Sequence, residues 1–407
     1  MNTYSSYKDS GIEWMGNIPE SWELTKNRFG FLKHKNGLNE SDDTNVLSLT
    51  TTGVKVKRDL NFGKSSESYI GHQLVEQGDI VFTPRDFDQT PILSDVSKYE
   101  GCISNLYIVD KTKENVLNRY VNYYWYGLKY SVDYFKNFSH GMRYSFNRFQ
   151  FDEIPLLIPS LREQQQISDY LDYKTSKIDI LIEKTQQKIE LLKEQRTSLI
   201  NTTVTKGLDP NVEMKDSGVE WIGDVPVGWD LVRLKYLFSL EGGKDPKRIQ
   251  DDDGEYPILG TGGEISRGSD FLYNKPTLLL GRKGTIDKPF LFDKPFWVSD
   301  VMYYTIQKSD ITPKYLYLLF TLTPFDYYRY GSTQPSMSRL DYESMFFPIP
   351  KKEERQQIVD YLDKETSKID KLVDIESKRI ILLKEYRQSL ISDVVTGKVD
   401  VRDEVLV

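Results

Sequence analysis

Three histidines (His34, His72 and His140), one cysteine (Cys102) and a few acidic pairs are all that this 407-residue sequence offers toward nucleophilic, acid–base or metal chemistry. A lone cysteine closes no disulfide and builds no Cys/His zinc spacing. Asp86/Asp88 and Asp251 to Asp253 are of a type that binds hard cations, but in Gly- and Asp-rich loops the same residues make solvated turns. No G-x-x-x-x-G-K-[ST] loop, G-x-S-x-G elbow or dinucleotide glycine fingerprint is present, and Gly281-Arg282-Lys283-Gly284-Thr285 resembles a phosphate loop only superficially. Asp287 to Phe290 and Asp293 to Phe296 fall short of the Asn/Asp-Pro-Pro-aromatic tetrapeptide of adenine methyltransferases and read as turns. On this inventory the chain is not an enzyme by itself, and it calls for no metal or cofactor of its own.

Cations are more informative. Arg85 follows a strand-like run in Thr83-Pro84-Arg85-Asp86, and Arg143, Tyr144 and Arg148 lie in the segment from Gly141 to Arg148. Arg282 and Lys283 follow another strand-like run, and Arg339 closes the segment from Gly331 to Arg339. Gly- or Ser-rich loops of this kind can bring backbone N–H groups to phosphates, and an Arg fork suits guanine. The alternative for each is an ordinary polar loop whose Arg pairs with a nearby carboxylate. Net charge weighs against nucleic acid: 54 Lys+Arg against 61 Asp+Glu give -7.

These residues must be held by more than one domain, since 407 residues exceed a single small fold. Self-comparison shows how they are organised. Lys8 to Leu24 and Lys215 to Leu231 share ten of seventeen residues at an offset of 207 (215 − 8), including Trp14/Trp221 and Trp22/Trp229. Ile158 to Ile200 matches Ile349 to Ile391 without a gap at an offset of 191 (349 − 158), and this offset places Arg148 on Arg339 and Ser145 on Ser336. The chain is a tandem duplication of a constant frame around a variable insert, the first insert being about sixteen residues longer (207 − 191). Two like frames around unlike inserts imply recognition of two different things.

Each copy of the longer repeat reads as a helix. Leu161 to Thr205 contains no Pro or Gly and would form a rod of roughly 65 Å. Leu171, Ile178, Ile182, Ile189, Leu192 and Leu199 follow a 4-3 seam, repeated by Leu362, Ile369, Val373, Ile380, Leu383 and Leu390. This spacing predicts two coiled-coil arms packed antiparallel, the alternative being two amphipathic helices packed each on its own domain. Polar Thr185/Glu376 and Arg196/Arg387 also fall on the seam. The motif that follows the first helix in sequence is expected to follow the second in space, bringing the N- and C-terminal regions together. The inserts read as small α+β domains, with strands near 45–50, 79–83 and 277–280 and helices near 118–130 and 313–322. The segments are 1–155 and 210–345 for the globular parts and 156–209 and 346–407 for the helical ones.

The chain resembles the specificity (S) subunits of type I restriction-modification systems. The resemblance rests on W-[MI]-G-x-[IV]-P-x-x-W at Trp14 to Trp22 and Trp221 to Trp229, on I-P-x-x-x-E-x-Q-Q-I at Ile158 to Ile167, and on the order insert, helix, insert, helix. The second copy of the latter motif carries Glu354-Arg355 where the first has Glu163-Gln164. It implies two target recognition domains, each reading half of an asymmetric bipartite site in double-stranded DNA. The helices would set the gap and hold two modification subunits, with restriction subunits joining them. S-adenosylmethionine, ATP and Mg would sit on those partners. Cytoplasmic location is expected, for Met1 to Ser10 is polar and no run approaches the ~20 apolar residues of a membrane span. The rival reading is a coiled-coil scaffold with two protein-binding heads.

Overall fold

A computed structural model describes residues 2–404 except 31–32, 35–36, 59–67, 86–91, 132–133, 135–144, 146 and 332–334. Two compact units emerge, Met1–Gln186 with Lys378–Val407, and Gln187–Ser377. Their boundary cuts through both long helices, so each unit is a globular head plus a stretch of paired helix.

In the first unit a four-stranded antiparallel sheet has the order Lys33–His34, Ile108–Lys111, Ile80–Phe82, Ser94–Val96. In the second, Phe238–Gly242, Met302–Gln307, Thr277–Gly281 and Phe290–Phe292 repeat that order. The inner strands Ile80–Phe82 and Thr277–Gly281 are buried throughout, as their continuous apolar runs require. Among the described residues the accessory sheets differ: two two-stranded ladders in the first head, one three-stranded sheet in the second. The duplicated frame therefore carries a common sheet, and the divergent sequence builds what surrounds it.

Helices Asn118–Ser131 and Pro313–Phe320 form where helices are expected and pack on these sheets, and tyrosines fasten them to neighbouring strands. Tyr120 and Tyr124 donate to the carbonyls of Leu157 and Pro155, and Tyr315 donates to that of Pro348. Burial pushes all three hydroxyls well above the usual tyrosine range, so they remain neutral donors. Much of the tyrosine content thus serves the core.

The first long helix spans Leu161–Lys206 and the second Lys352–Val395. In the first unit Asp179 meets Arg387 at 3.0 Å and Gln166 donates to the Arg402 carbonyl; the partners run in opposite directions, so the helices are antiparallel. In the second unit Lys188 meets Glu376 at 2.5 Å and Arg196 meets Asp370 at 2.8 Å, again antiparallel. Arg196–Asp370 is Arg387–Asp179 moved by the 191-residue repeat, the roles of the helices exchanged. Seam residues Leu171, Ile178 and Leu390 are buried in the first unit, with Ile182, Ile380 and Leu383 half-buried. In the second unit Ile189, Leu362 and Ile369 are buried and Leu192, Leu199 and Val373 half-buried. The 4-3 seam of two paired helices is what forms.

Both helices end on a left-handed glycine. Gly207 has φ 79° and Gly397 φ 75°. A Cβ on Gly397 would stand 2.3 Å from Pro19 Cδ, so only glycine admits the close approach of the N-terminal hairpin Tyr7–Asp9/Asn17–Pro19. Asp400 donates its amide to the Asn2 carbonyl at 2.9 Å, and the Tyr7 hydroxyl donates to the Gly397 carbonyl at 3.3 Å. The two terminal regions are neighbours, as the repeat order implies.

Candidate nucleic-acid interface

Arg85 leaves the end of the buried inner strand of the first sheet, and Lys283 leaves the corresponding strand of the second. Each makes an antiparallel bridge to a serine of the segment that precedes the next short helix, Arg85 to Ser145 and Lys283 to Ser336. Those serines are repeat-related (336 − 145 = 191). Both heads therefore set an exposed cation at one place on one framework.

The second loop is closely stitched. Arg282 and Lys283 donate their amides to the Val301 carbonyl, Gly284 donates to Pro335, and the buried Tyr342 hydroxyl donates to the Gly281 carbonyl at 2.7 Å. A Cβ on Gly281 would lie 2.4 Å from the Thr285 carbonyl oxygen. The expectation that this loop offers free backbone N–H groups to phosphate is thus corrected at these three positions, because internal carbonyls already take them. What faces solvent is side chain: the Lys283 ammonium, with no carboxylate partner among the described residues, and Arg282, whose guanidinium donates to the Asp300 carbonyl at 3.3 Å.

The repeat-related arginines are held differently. Arg148 and Arg339 each begin a short helix closed by a capping box, from Asn147 and Ser338. Arg148 donates to buried Asp110 at 2.7 Å and to Asp152 at 2.8 Å, and Arg339 donates to Glu343 at 2.7 Å. Burial lowers the Arg148 pKa, but the two carboxylates more than offset that; Glu343 likewise raises Arg339. Both charges are therefore tied into their own heads. Arg143 and Tyr144 lie outside the described residues, as do Asp86, Asp88 and His140. Asp251 forms a turn, accepting from the Asp253 amide at 3.1 Å. His72 is half-buried with its ring edge-on to Tyr69 at 5.4 Å, and Cys102 is buried. No group of three or more His, Cys, Asp or Glu fit to hold a metal is found among the described residues, and no described helix is long and apolar enough to cross a membrane.

The motif letters have structural roles that spacing did not disclose. Trp22 Nε1 donates to Glu163 at 3.0 Å, and Trp229 Nε1 donates to Glu354 at 3.1 Å. Gln164 accepts from the Leu117 amide at 2.8 Å and so braces the entry to the helix Asn118–Ser131. Its counterpart Arg355 pairs with Asp310 at 2.5 Å before the equivalent helix Pro313–Phe320. The change from Gln164 to Arg355 between the two copies of that motif thus exchanges an amide brace for an ionic one at the same place.

Residues 30–191 and 226–387 match the family model for the type I restriction modification DNA specificity domain. The putative type I restriction enzyme MjaX specificity subunit of Methanocaldococcus jannaschii is 23% identical over 425 residues, covering 95% of this chain and 96% of its own. The MjaVIII specificity subunit of the same organism is 23% identical over 337 residues, 75% of this chain and 76% of its own. Among solved structures, the fold is similar to a chain from work on complex assembly and conformational transition of the type I R-M system (TM-score 0.68, 16% identity, 94% of this chain and 99% of that one). It is also similar to the HsdS subunit from Thermoanaerobacter tengcongensis (TM-score 0.56, 14% identity, 96% and 100%). Two family domains on a duplicated frame, with cations at matched loops, have one consistent account: the chain belongs to the type I restriction modification DNA specificity family, whose members are non-catalytic specificity subunits.

Proposed function

We propose that each head reads one half of an asymmetric bipartite DNA site, that the paired helices set the gap between half-sites, and that the chain thereby directs N6-adenine methylation and restriction by partner subunits in the cytoplasm. The observation that carries this reading is the matched pair of loops: Arg85 bridged to Ser145 and Lys283 bridged to Ser336, on sheets of identical order. A common scaffold presents a cation to the phosphate backbone shared by all DNA, while unlike loops and accessory sheets supply unlike base contacts. Two modification subunits would hold S-adenosylmethionine, and restriction subunits would hold ATP and Mg.

Docking of two copies on the helices is supported by exposed leucines that the repeat relates. Leu181 and Leu372 occupy one repeat position, Leu191 and Leu382 another, all exposed. The first unit carries Leu181 and Leu382, and the second carries Leu372 and Leu191, so each unit offers one of each kind. The excess of acid, -7 overall, fits a chain that binds DNA well only inside its complex. The test is a domain exchange: residues 26–153 are replaced by those of a relative with another half-site, and methylated sites are mapped. One half-site should change while the other and the gap stay. A change in both halves, or the absence of any sequence-specific footprint with partners present, would leave the scaffold reading in its place.

A further inference from the structure

A second set of repeat-related side chains stands in solvent. Lys26-Asn27-Arg28-Phe29 and Arg233-Leu234-Lys235-Tyr236 are the same cation-x-cation-aromatic sequence at the 207-residue offset (233 − 26). The aromatic residue projects outward from a one-turn helix in each copy, Phe29 being 64% exposed and Tyr236 63%. At the other offset, Phe149 (67% exposed) and Leu340 (75%) take the second position of the two capped helices. The ladders Glu23–Lys26/Pro155–Ile158 and Asp230–Arg233/Phe346–Ile349 bring these pieces together. One short helix follows the first strand and the other precedes the second, and the Asn27 side chain donates to the Phe151 carbonyl at 2.9 Å. Each head thus exposes two large apolar side chains on adjoining short helices.

Water-exposed apolar groups of this size, repeated at corresponding places, indicate a covered surface. Base reading does not account for them, because the half-sites differ between heads whereas these positions keep one character. Phosphate contact does not account for them either. Lys26 and Arg28 both pair with Glu153, Arg148 pairs with Asp110 and Asp152, and Arg339 pairs with Glu343. The Lys26 hydrogen bond, helped by Arg28, holds the Glu153 carboxyl below its usual range, so it stays ionised and would repel phosphate. In the second head Arg233 lies over the Phe346 ring at 4.8 Å and Lys235 over Tyr236 at 4.9 Å, so each cation is held against a ring. Large apolar anchors beside cations held by carboxylates or by rings are what protein partners engage.

We propose that Phe29 with Phe149 on one head, and Tyr236 with Leu340 on the other, are docking points for two copies of one partner protein bearing an apolar socket. This rests on the reading that the chain works beside two identical modification subunits, and it adds a contact on each head to those on the helices.

The experiment uses the full chain co-purified with the modification subunits of its own system. Phe29→Ser/Phe149→Ser and Tyr236→Ser/Leu340→Ser are made separately and together; the side chains are exposed, so melting of the chain alone should be unchanged. Each double variant is expected to weaken binding of one partner copy at least tenfold, seen by native mass titration as a shift from two copies to one, and the quadruple variant to weaken both. Retention of both copies at unchanged affinity overturns the proposal. Unchanged partner binding with a fall in duplex affinity overturns it in favour of a DNA contact, and loss of self-association by the chain alone overturns it in favour of a second copy of this chain. If the unmodified complex shows no sequence-specific footprint, the functional reading beneath it fails instead, and the two failures are distinct.

Discussion

Glu163 accepts from two donors at once, the Tyr4 hydroxyl at 2.7 Å and the Trp22 indole at 3.0 Å, and all three side chains are buried. Burial and that hydrogen bond push the Tyr4 hydroxyl well above its usual range, which keeps it a neutral donor to a carboxylate. Its repeat counterpart Glu354 has a half-exposed setting and takes one such donor, Trp229. Removing a carboxylate that satisfies two buried donors costs the desolvation of both, at about 1–3 kcal/mol each, whereas in the other copy one buried donor, Trp229, loses a carboxylate that was already partly exposed. Glu163→Ala is therefore expected to lower the melting temperature clearly more than Glu354→Ala, with Glu163→Gln intermediate; equal shifts would contradict the asymmetry. The letters Trp and Glu were legible in the repeated motifs, but their contact was not, since 141 residues separate Trp22 from Glu163. Arg148 was legible only as a cation in a loop, because its partner Asp110 lies 38 residues away and spacing carries no sign of it.

The helical elements were legible almost whole. Absence of Pro and Gly, the 4-3 period and a terminal glycine are all local signals, and the strands at 47–50, 80–82 and 277–281 announced themselves by short apolar runs between turns. The other accessory strands were not: they are two to six residues long, and although Leu47–Thr50/Gly53–Val56 and Tyr256–Gly260/Gly263–Gly268 are local hairpins, Gln73–Val75/Gly101–Ile103 and Tyr256–Gly260/Trp297–Val298 join segments far apart in the chain. Glu376 puts a carboxylate at a seam position where the other copy has Thr185. It is buried and pairs with Lys188, while its repeat counterpart Thr185 returns its hydroxyl to the Leu181 carbonyl at 2.7 Å. Burying a carboxylate has a desolvation cost that an exposed lysine repays poorly, and replacing such a pair by apolar packing is often neutral or stabilising by about 1–4 kcal/mol. Glu376→Leu, beside Ile369 and Val373 on the same seam, is expected to leave the melting temperature equal or higher. A fall of several degrees would mean that the pair contributes net stability; a change in partner stoichiometry without loss of stability would assign it to specificity of pairing.

At the scale of the whole chain the duplication decides how the ends are connected. Gly207 passes the first helix directly into the hairpin Met214–Asp216/Asp224–Pro226, and Trp229 then packs at the glycine, 3.3 Å from where its Cβ would be. Gly397 closes on the hairpin Tyr7–Asp9/Asn17–Pro19 and on Trp22 in the same manner, through space and not along the chain. One junction is continuous and the other is assembled in space by the Asp400–Asn2 bridge, yet each uses a left-handed glycine, a hairpin and a tryptophan bonded to a glutamate. The covalent connection is therefore interchangeable between them. A chain opened between Asp209 and Pro210, both exposed, and joined from the C-terminal to the N-terminal region by a short flexible linker should fold to the same units. Such a linker closes a junction already in contact, so its entropic cost is small, on the order of 1 kcal/mol. The expected outcome is a melting temperature within a few degrees of the parent and, in the complex, the same pair of half-sites with the same gap. A permutant opened inside the inner strand Thr277–Gly281 serves as the control that should not fold. Failure of the first permutant to fold would show that the chain depends on the order of its copies as well as on their contacts.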